Sequence, residues 1–345
     1  MIFLADFSDE SRSVLSGFSI SGEGSMAKKT VKRSTRSTNS SSKKSSAQRP
    51  VDVRHNLDHQ PYEGLPADRE RGPDFLPFDA DFMPAANKRF QETIVFVHHF
   101  GGNKKSLAHH VEMVNALGYD AVRFDLMFSQ INPAKHLPIT ANLKFGIRHV
   151  WSEQIEAILN SIPGRKILFS FSMPSNSVMM ALAHRRAKDV SGWICDGGPF
   201  LQLSKCVWNL YEHHYAIQSK VVRGALTGAS LVFLGTGFEK EAAGLMRTLP
   251  RGFRILSFRG LQDPLVPAEA IDEALLGKST TPHTGASKLV PSDKSNFKND
   301  SAHPLMIETH SFEEGGHLDG LKSFPAAYRD HCESFLKEIA KPVTA

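Results

Sequence analysis

Short apolar runs alternate along the chain with stretches whose apolar residues recur every three or four positions. Thr93 to His98 (TIVFVH) is a β-branched run bounded by turn signals, which predicts a buried strand. From Asn103 to Leu117 the apolar positions Leu107, Val111, Val114 and Leu117 fit one helical face, closed by Gly118. Tyr119 to Asp125 predicts the next strand. Phe145 to Ile162 predicts a helix, ended by Pro163-Gly164. Lys166 to Phe171 (KILFSF) predicts a third strand, followed by a helix from Pro174 to about Ala187. Further strands are predicted at Trp193–Cys195, Phe253–Phe258 and Leu305–Thr309. The irregular Pro/Asp/Asn-rich approach, Pro50 to Arg89, offers one edge strand.

Strands alternating with helices predict an α/β fold: a mostly parallel sheet with helices on both faces. In such sheets functional residues gather just past the carboxyl ends of the strands. Residues 199–250 are too long for a simple connection. Phe200, Leu201, Leu203, Val207, Trp208, Leu210, Tyr211 and Leu231–Leu234 read there as helices covering the strand ends as a lid, or as ordinary core helices. Gly277 to His303 is a Ser/Thr/Lys/Pro stretch and reads as a surface insertion.

Composition narrows the class. Of 345 residues 41% are hydrophobic and 22% charged, as in ordinary globular chains. No apolar run in the sequence is read as long enough for a membrane helix. The three cysteines are too few and too scattered for a disulfide framework. The net charge of +5 is local, because Lys28 to Arg49 carry eight basic residues and no acid. Residues 1–27 carry an excess of acid, so residues 50–345 balance to zero. The basic stretch interleaves Lys and Arg with serines, and residues 1–60 are expected to be a disordered tail. Such a tail contacts anionic surfaces weakly, or is merely a solvated leader. It lacks the aromatic interleaving that stacks bases, so no specific nucleic-acid partner is expected. Residues 1–25 make a poor secretory signal, Met26 opens a natural-looking start (MAKKTVKR), and a cytoplasmic protein is expected. Residues 61–345 are then read as one domain.

The strand ends carry the candidate chemistry. After the third strand comes Ser170-Phe171-Ser172-Met173-Pro174-Ser175. A serine nucleophile on a sharp strand-to-helix turn needs small residues two before and two after it. Ser170 meets the first requirement, and Pro174 replaces the usual glycine at the second, where its φ suits a first helical turn. On this segment alone an N-cap serine is the commoner explanation. After the fifth strand comes GLQDPLVP with Asp263; after the sixth, EGGHLDG with His317; after the first, HHFGG with His99 and Phe100. Glycines directly after a buried strand let backbone N–H groups face an anion. Asp196, in CDGGP after the fourth strand, is a further acid. Glu212-His213-His214 superficially resembles a metal motif. Adjacent histidines on a helix diverge, however, and no metal or cofactor is expected.

Ser172, Asp263 and His317 occur in that order, each past a predicted strand, with the glycine loop upstream. Over residues 90–340 this pattern resembles the α/β-hydrolase fold family of serine esterases and lipases. The resemblance implies Ser172 as nucleophile, His317 as base and Asp263 as its acid. Asp263 is placed ahead of Asp196 because it follows the later strand. Oxyanion donors would be the N–H groups of Phe100 and Met173, and His99 stands where the family commonly has glycine. The implied function is hydrolysis of an ester of a small-molecule, hydrophobic acyl substrate. An acyltransferase on the same residues and a non-catalytic binding protein of the same fold are the alternatives.

Overall fold

The computed structural model describes residues 76–128, 146–235, 237–277, 288–291 and 305–343, all within one compact unit, Arg71–Ala345. The tail 1–60, the possible start at Met26 and most of the 277–303 insertion lie outside the described residues.

The strands are β1 (Asp81–Met83), β2 (Thr93–Val97), β3 (Asp120–Phe124), β4 (Lys166–Phe171), β5 (Val190–Asp196), β6 (Arg254–Gly260), β7 (Lys288–Pro291) and β8 (Met306–Phe312). They form one eight-stranded sheet in the order β1-β3-β2-β4-β5-β6-β8-β7. The inner strands run parallel, and β1 and β7 close the two edges antiparallel. The sheet is thus mostly parallel, as its alternation of strands and helices predicts. β2 and β4 are buried at every position because helices cover both faces.

The helices are α1 (Ala108–Ala116), α2 (Ile147–Ser161), α3 (Pro174–Arg185), α4 (Leu203–Asn209), α5 (Lys220–Leu234), α6 (Phe238–Arg247), α7 (Ala268–Leu276), α8 (Gly320–Ser323) and α9 (Pro325–Ile339). Strand periodicity sends Val95, Val97 and Leu168 to a core shared with α2, α3, α6 and α7. Ile94, Phe96, Ile167, Phe169 and Phe171 go to a second core under α1 and α9. The α9 stripe Tyr328, Cys332, Phe335, Leu336 has the i, i+4, i+7, i+8 spacing that such a face requires.

Three sequence expectations are corrected. The 277–303 insertion contains a strand, β7; Lys-Leu-Val-Pro is short and ends in proline, which only an unpaired sheet edge tolerates. The helix predicted from Asn103 begins as a 3-10 turn at Lys104–Leu107, capped by the Asn103 side chain. The stretch Lys220–Arg247 is, by length and composition, long and apolar enough to cross a membrane, contrary to the expectation that none is. Here α5 and α6 divide it. Val221 and Val232 of α5 lie exposed, while Phe238, Ala242 and Met246 of α6 pack into the core.

Residues 199–250 therefore differ in role. α6 is a core helix against α3. α4 lies beside the turn after β6, where Leu201 N–H donates to the Ala270 carbonyl and Asn209 Nδ2 to the Leu265 carbonyl (2.9 and 3.3 Å). α5 ends near the end of β3, where Phe233 stacks on Phe128 with centroids 6.1 Å apart. The junction of α5 and α6 is tied down by Arg148 of α2. Its Nε and Nη2 donate to the Leu234 and Gly235 carbonyls at 2.9 and 2.8 Å, and its guanidinium lies 4.6 Å from the centre of the Phe238 ring. Arg148→Met should strand both carbonyls and destabilise the fold by about 2–4 kcal/mol. Urea denaturation checks this, with faster limited proteolysis near residues 234–238 as the second sign.

Candidate active site

Parallel register brings the carboxyl ends of five strands together: Val97 aligns with Ser170, Phe171 with Asp196, Asp196 with Phe258, and Phe258 with His310. Each candidate residue lies at or beyond one of these ends.

Ser172 joins β4 to α3 in the left-handed conformation, φ 55°, which side-chain-bearing residues seldom adopt. Its N–H donates to the Asp196 carbonyl at 2.8 Å, and its own carbonyl accepts from Ser175 N–H at 3.0 Å. Pro174 takes the first turn of α3, where a missing N–H leaves nothing unpaired. The turn is packed from the β5 side by Gly198. A Cβ there would lie 2.3 Å from the Ser172 carbonyl oxygen, so only glycine fits. Beneath the turn, Trp193 Nε1 donates to Ser170 Oγ at 2.8 Å, and Ser170 and Ser175 share a hydroxyl hydrogen bond of 2.9 Å. Ser172 is thus not a simple N-cap: no side-chain cap bond is present at this helix start.

His317 reaches Ser172 from the loop after β8, with Nε2 2.9 Å from Ser172 Oγ. Its Nδ1 lies 2.6 Å from Asp263 Oδ2. A carboxylate only accepts, so Nδ1 carries the proton and Nε2 presents a lone pair to the serine hydroxyl. The other Asp263 oxygen accepts the N–H groups of Leu265 and Val266 at 2.8 and 3.0 Å, which fixes the carboxylate in its turn. The loop comes this close because β6 ends in Gly260. A Cβ there would lie 2.2 Å from the Gly315 carbonyl oxygen. Gln262 N–H donates to that carbonyl at 3.1 Å and sets the spacing between the two loops.

Asp196, the alternative acid, is directed elsewhere. Its Oδ2 accepts the Tyr328 hydroxyl at 2.9 Å in a fully buried setting. Burial pushes its carboxyl up to about 6, against the hydrogen bond from Tyr328, which lowers it. His99 packs its ring over Gly102, and burial, then the neighbouring His98 and His317, holds it down at about 4. At neutral pH it is an uncharged wall. Glu212 pairs with Arg223 and accepts from Trp208 Nε1, so it joins α4 to α5.

His98 has a role that sequence reasoning missed. Its Nδ1–H donates to the His99 carbonyl at 2.8 Å, and its Nε2 accepts Leu126 N–H at 3.0 Å. This ties the loop after β2 to the end of β3. The His99 carbonyl also accepts Gly102 N–H at 3.0 Å. In a trans peptide the N–H points opposite the carbonyl, so Phe100 N–H is turned away from these two donors. Among the described residues neither Phe100 N–H nor Met173 N–H donates a hydrogen bond. The doublet His98-His99 at a strand end was the available signal, but sequence cannot tell which ring turns inward.

The comparisons bear on the scaffold. An esterase from Pyrococcus furiosus superposes with a TM-score of 0.50 at 13% identity, over 79% of this chain and 96% of that one. A monoacylglycerol lipase from Paleococcus ferrophilus gives 0.46 at 12% identity over 75% and 98%, and a bromoperoxidase from Bacillus anthracis 0.47 at 13% over 75% and 94%. No family model and no curated protein matches the chain. Sheet order, helix placement and the first of these likenesses give the chain the α/β-hydrolase fold.

Asp196 makes stability depend on pH. Its folded value of about 6 exceeds the ordinary 3.8, so between pH 4 and 6 the folded state holds a proton that the unfolded state has lost. Stability therefore falls as pH rises through this window, and the cost is complete above it. Asp196→Asn keeps an acceptor for Tyr328 and should gain about 1–3 kcal/mol at pH 8, with the gain vanishing below pH 4. Urea titrations at several pH values read this directly.

Proposed function

We propose that the protein is a serine hydrolase that cleaves a carboxylic ester through an acyl-enzyme on Ser172. The observation that carries this reading is the directed hydrogen-bond chain from Ser172 through His317 to Asp263, starting from a serine held at positive φ. The likeness in fold to an esterase supplies only a compatible scaffold.

In the proposed reaction Ser172 Oγ attacks the ester carbonyl while His317 Nε2 takes its proton. Asp263 holds the imidazole in the Nδ1–H tautomer and stabilises the imidazolium as it forms. The Phe100 and Met173 N–H groups meet the developing oxyanion, each worth on the order of 3–4 kcal/mol to the transition state. The N-terminus of α3 adds its positive end. His317 then protonates the leaving alcohol, and water, deprotonated by the same nitrogen, releases the acid. This chemistry requires no cofactor. A hydrophobic acyl group is supported by the aromatic cluster beside the Phe100 loop. Phe100 and Phe128 lie 6.1 and 5.2 Å from Trp151, and Phe233 of α5 adjoins Phe128.

Kinetics on p-nitrophenyl esters of increasing acyl length test the proposal. Ser172→Ala should lower kcat by a factor on the order of 10⁴ or more, and Asp263→Asn by about 10⁴, because Asn no longer enforces the tautomer. Undiminished hydrolysis by Ser172→Ala refutes the nucleophile. A wild-type protein that binds these esters without turnover supports a binding protein on the same fold.

A further inference from the structure

We propose that Glu308, His310 and His331 form a binding site for a borderline divalent cation of the zinc type, separate from the Ser172 site. Glu308 and His310 are two apart on β8, so their side chains share the sheet face covered by α9. His331 lies on α9 one turn after Tyr328, on the flank of the stripe that packs against that face. The carboxylate oxygen and the two imidazole nitrogens all lie within 4.8 Å of one another, and His310 Nε2 is 2.6 Å from Glu308 Oε1. With bonds of about 2.0–2.1 Å, tetrahedral ligand atoms stand roughly 3.3–3.4 Å apart, so the cluster is already near the required size.

The two rings are stacked, with centroids 3.5 Å apart and planes 25° apart. Their in-plane lone pairs therefore lie in two nearly parallel planes. Convergence on one ion requires the His331 side chain to swing about both its Cα–Cβ and Cβ–Cγ bonds, which its partly exposed place on α9 allows. A water would complete the shell from the solvent side, since Glu308 and His331 are both partly exposed. Phe258 forms an apolar floor, 5.9 and 6.4 Å from the two rings. The charges around the cluster are Glu308, Asp330 and Glu338 against Arg254, which is paired with Glu338. This surplus of negative charge suits a dication. Two imidazoles and one carboxylate select zinc, nickel, cobalt or copper over calcium or magnesium, which prefer all-oxygen shells. A bound ion would clip β8 to α9 and so fix both ends of the segment that carries His317.

The test uses the full-length, tag-free protein stripped with a chelator. Co²⁺ is titrated in while visible absorption is recorded, with Zn²⁺ as competitor. The site predicts bands of four- or five-coordinate cobalt that saturate at one ion per chain and are displaced by Zn²⁺. They should be lost in His331→Ala, weakened about 10–100-fold in affinity in Glu308→Gln, and unchanged in Ser172→Ala. Zn²⁺ should also raise the Tm of the wild type and not of His331→Ala, whose native fold is checked by circular dichroism of the metal-free protein. Absence of the bands, their survival in a Glu308→Gln, His331→Ala double variant, or their dependence on His317 overturns the proposal.

Discussion

The left-handed turn at Ser172 is the constraint around which the rest of the site is arranged. A serine at φ 55° is strained, and it persists only where the surroundings determine the backbone on every side. Here β4 leads in fully buried, Pro174 starts α3 immediately afterwards, and the Asp196 carbonyl holds the Ser172 N–H. Gly198 permits the close approach from β5. The effect is to push the hydroxyl out of the sheet and leave the Met173 N–H without a helical partner. His317 can meet Ser172 Oγ only because Gly260 lets its loop lie against the end of β6. The short hydrogen bond to Asp263 then depends on the neighbouring turn, whose N–H groups grip the opposite carboxylate oxygen.

Much of this arrangement was legible in the chain, for a physical reason. Strands buried on both faces show as continuous apolar runs, and helices on a sheet show as stripes, so most elements could be located. β4 was bounded correctly because KILFSF lies between Arg165 and the site itself. β5, β6 and β8 run longer than their apolar cores suggest. Asp196, Arg259, Gly260 and His310 are polar or small residues that the sheet buries for tertiary reasons no local pattern carries. β7 was missed because an edge strand need not be apolar. The pairing of Ser172, Asp263 and His317 was suggested by their order and their places at strand ends. The separate assignments of Asp196 to Tyr328 and of His98 to the glycine loop were not legible. Both depend on which way a side chain turns once the strands are in register.

The surroundings divide the polar residues by task. Asp263 sits in a turn supplied with N–H donors, whereas Asp196 is deeply buried, which pushes its carboxyl up to about 6 against the lowering effect of the Tyr328 hydroxyl. Two carboxylates near one histidine are thereby kept distinct. The end of α5 follows the same economy. Arg148 satisfies the last carbonyls of α5 from below, while Phe128, Trp151 and Phe233 give the space beside the Phe100 loop an aromatic lining. The Glu308, His310, His331 cluster lies between β8 and α9, the two elements that flank the loop carrying His317.

The central claim is that Ser172 is an activated nucleophile. The most direct measurement is intact-mass and peptide mapping of the protein after exposure to a fluorophosphonate, which phosphonylates a serine only where a base and oxyanion donors assist. The account predicts a single adduct on the peptide containing Ser172, absent after Asp263→Asn or His317→Ala under the same exposure. No adduct on the folded wild type, or an adduct on another residue with Ser172 unmodified, would contradict it.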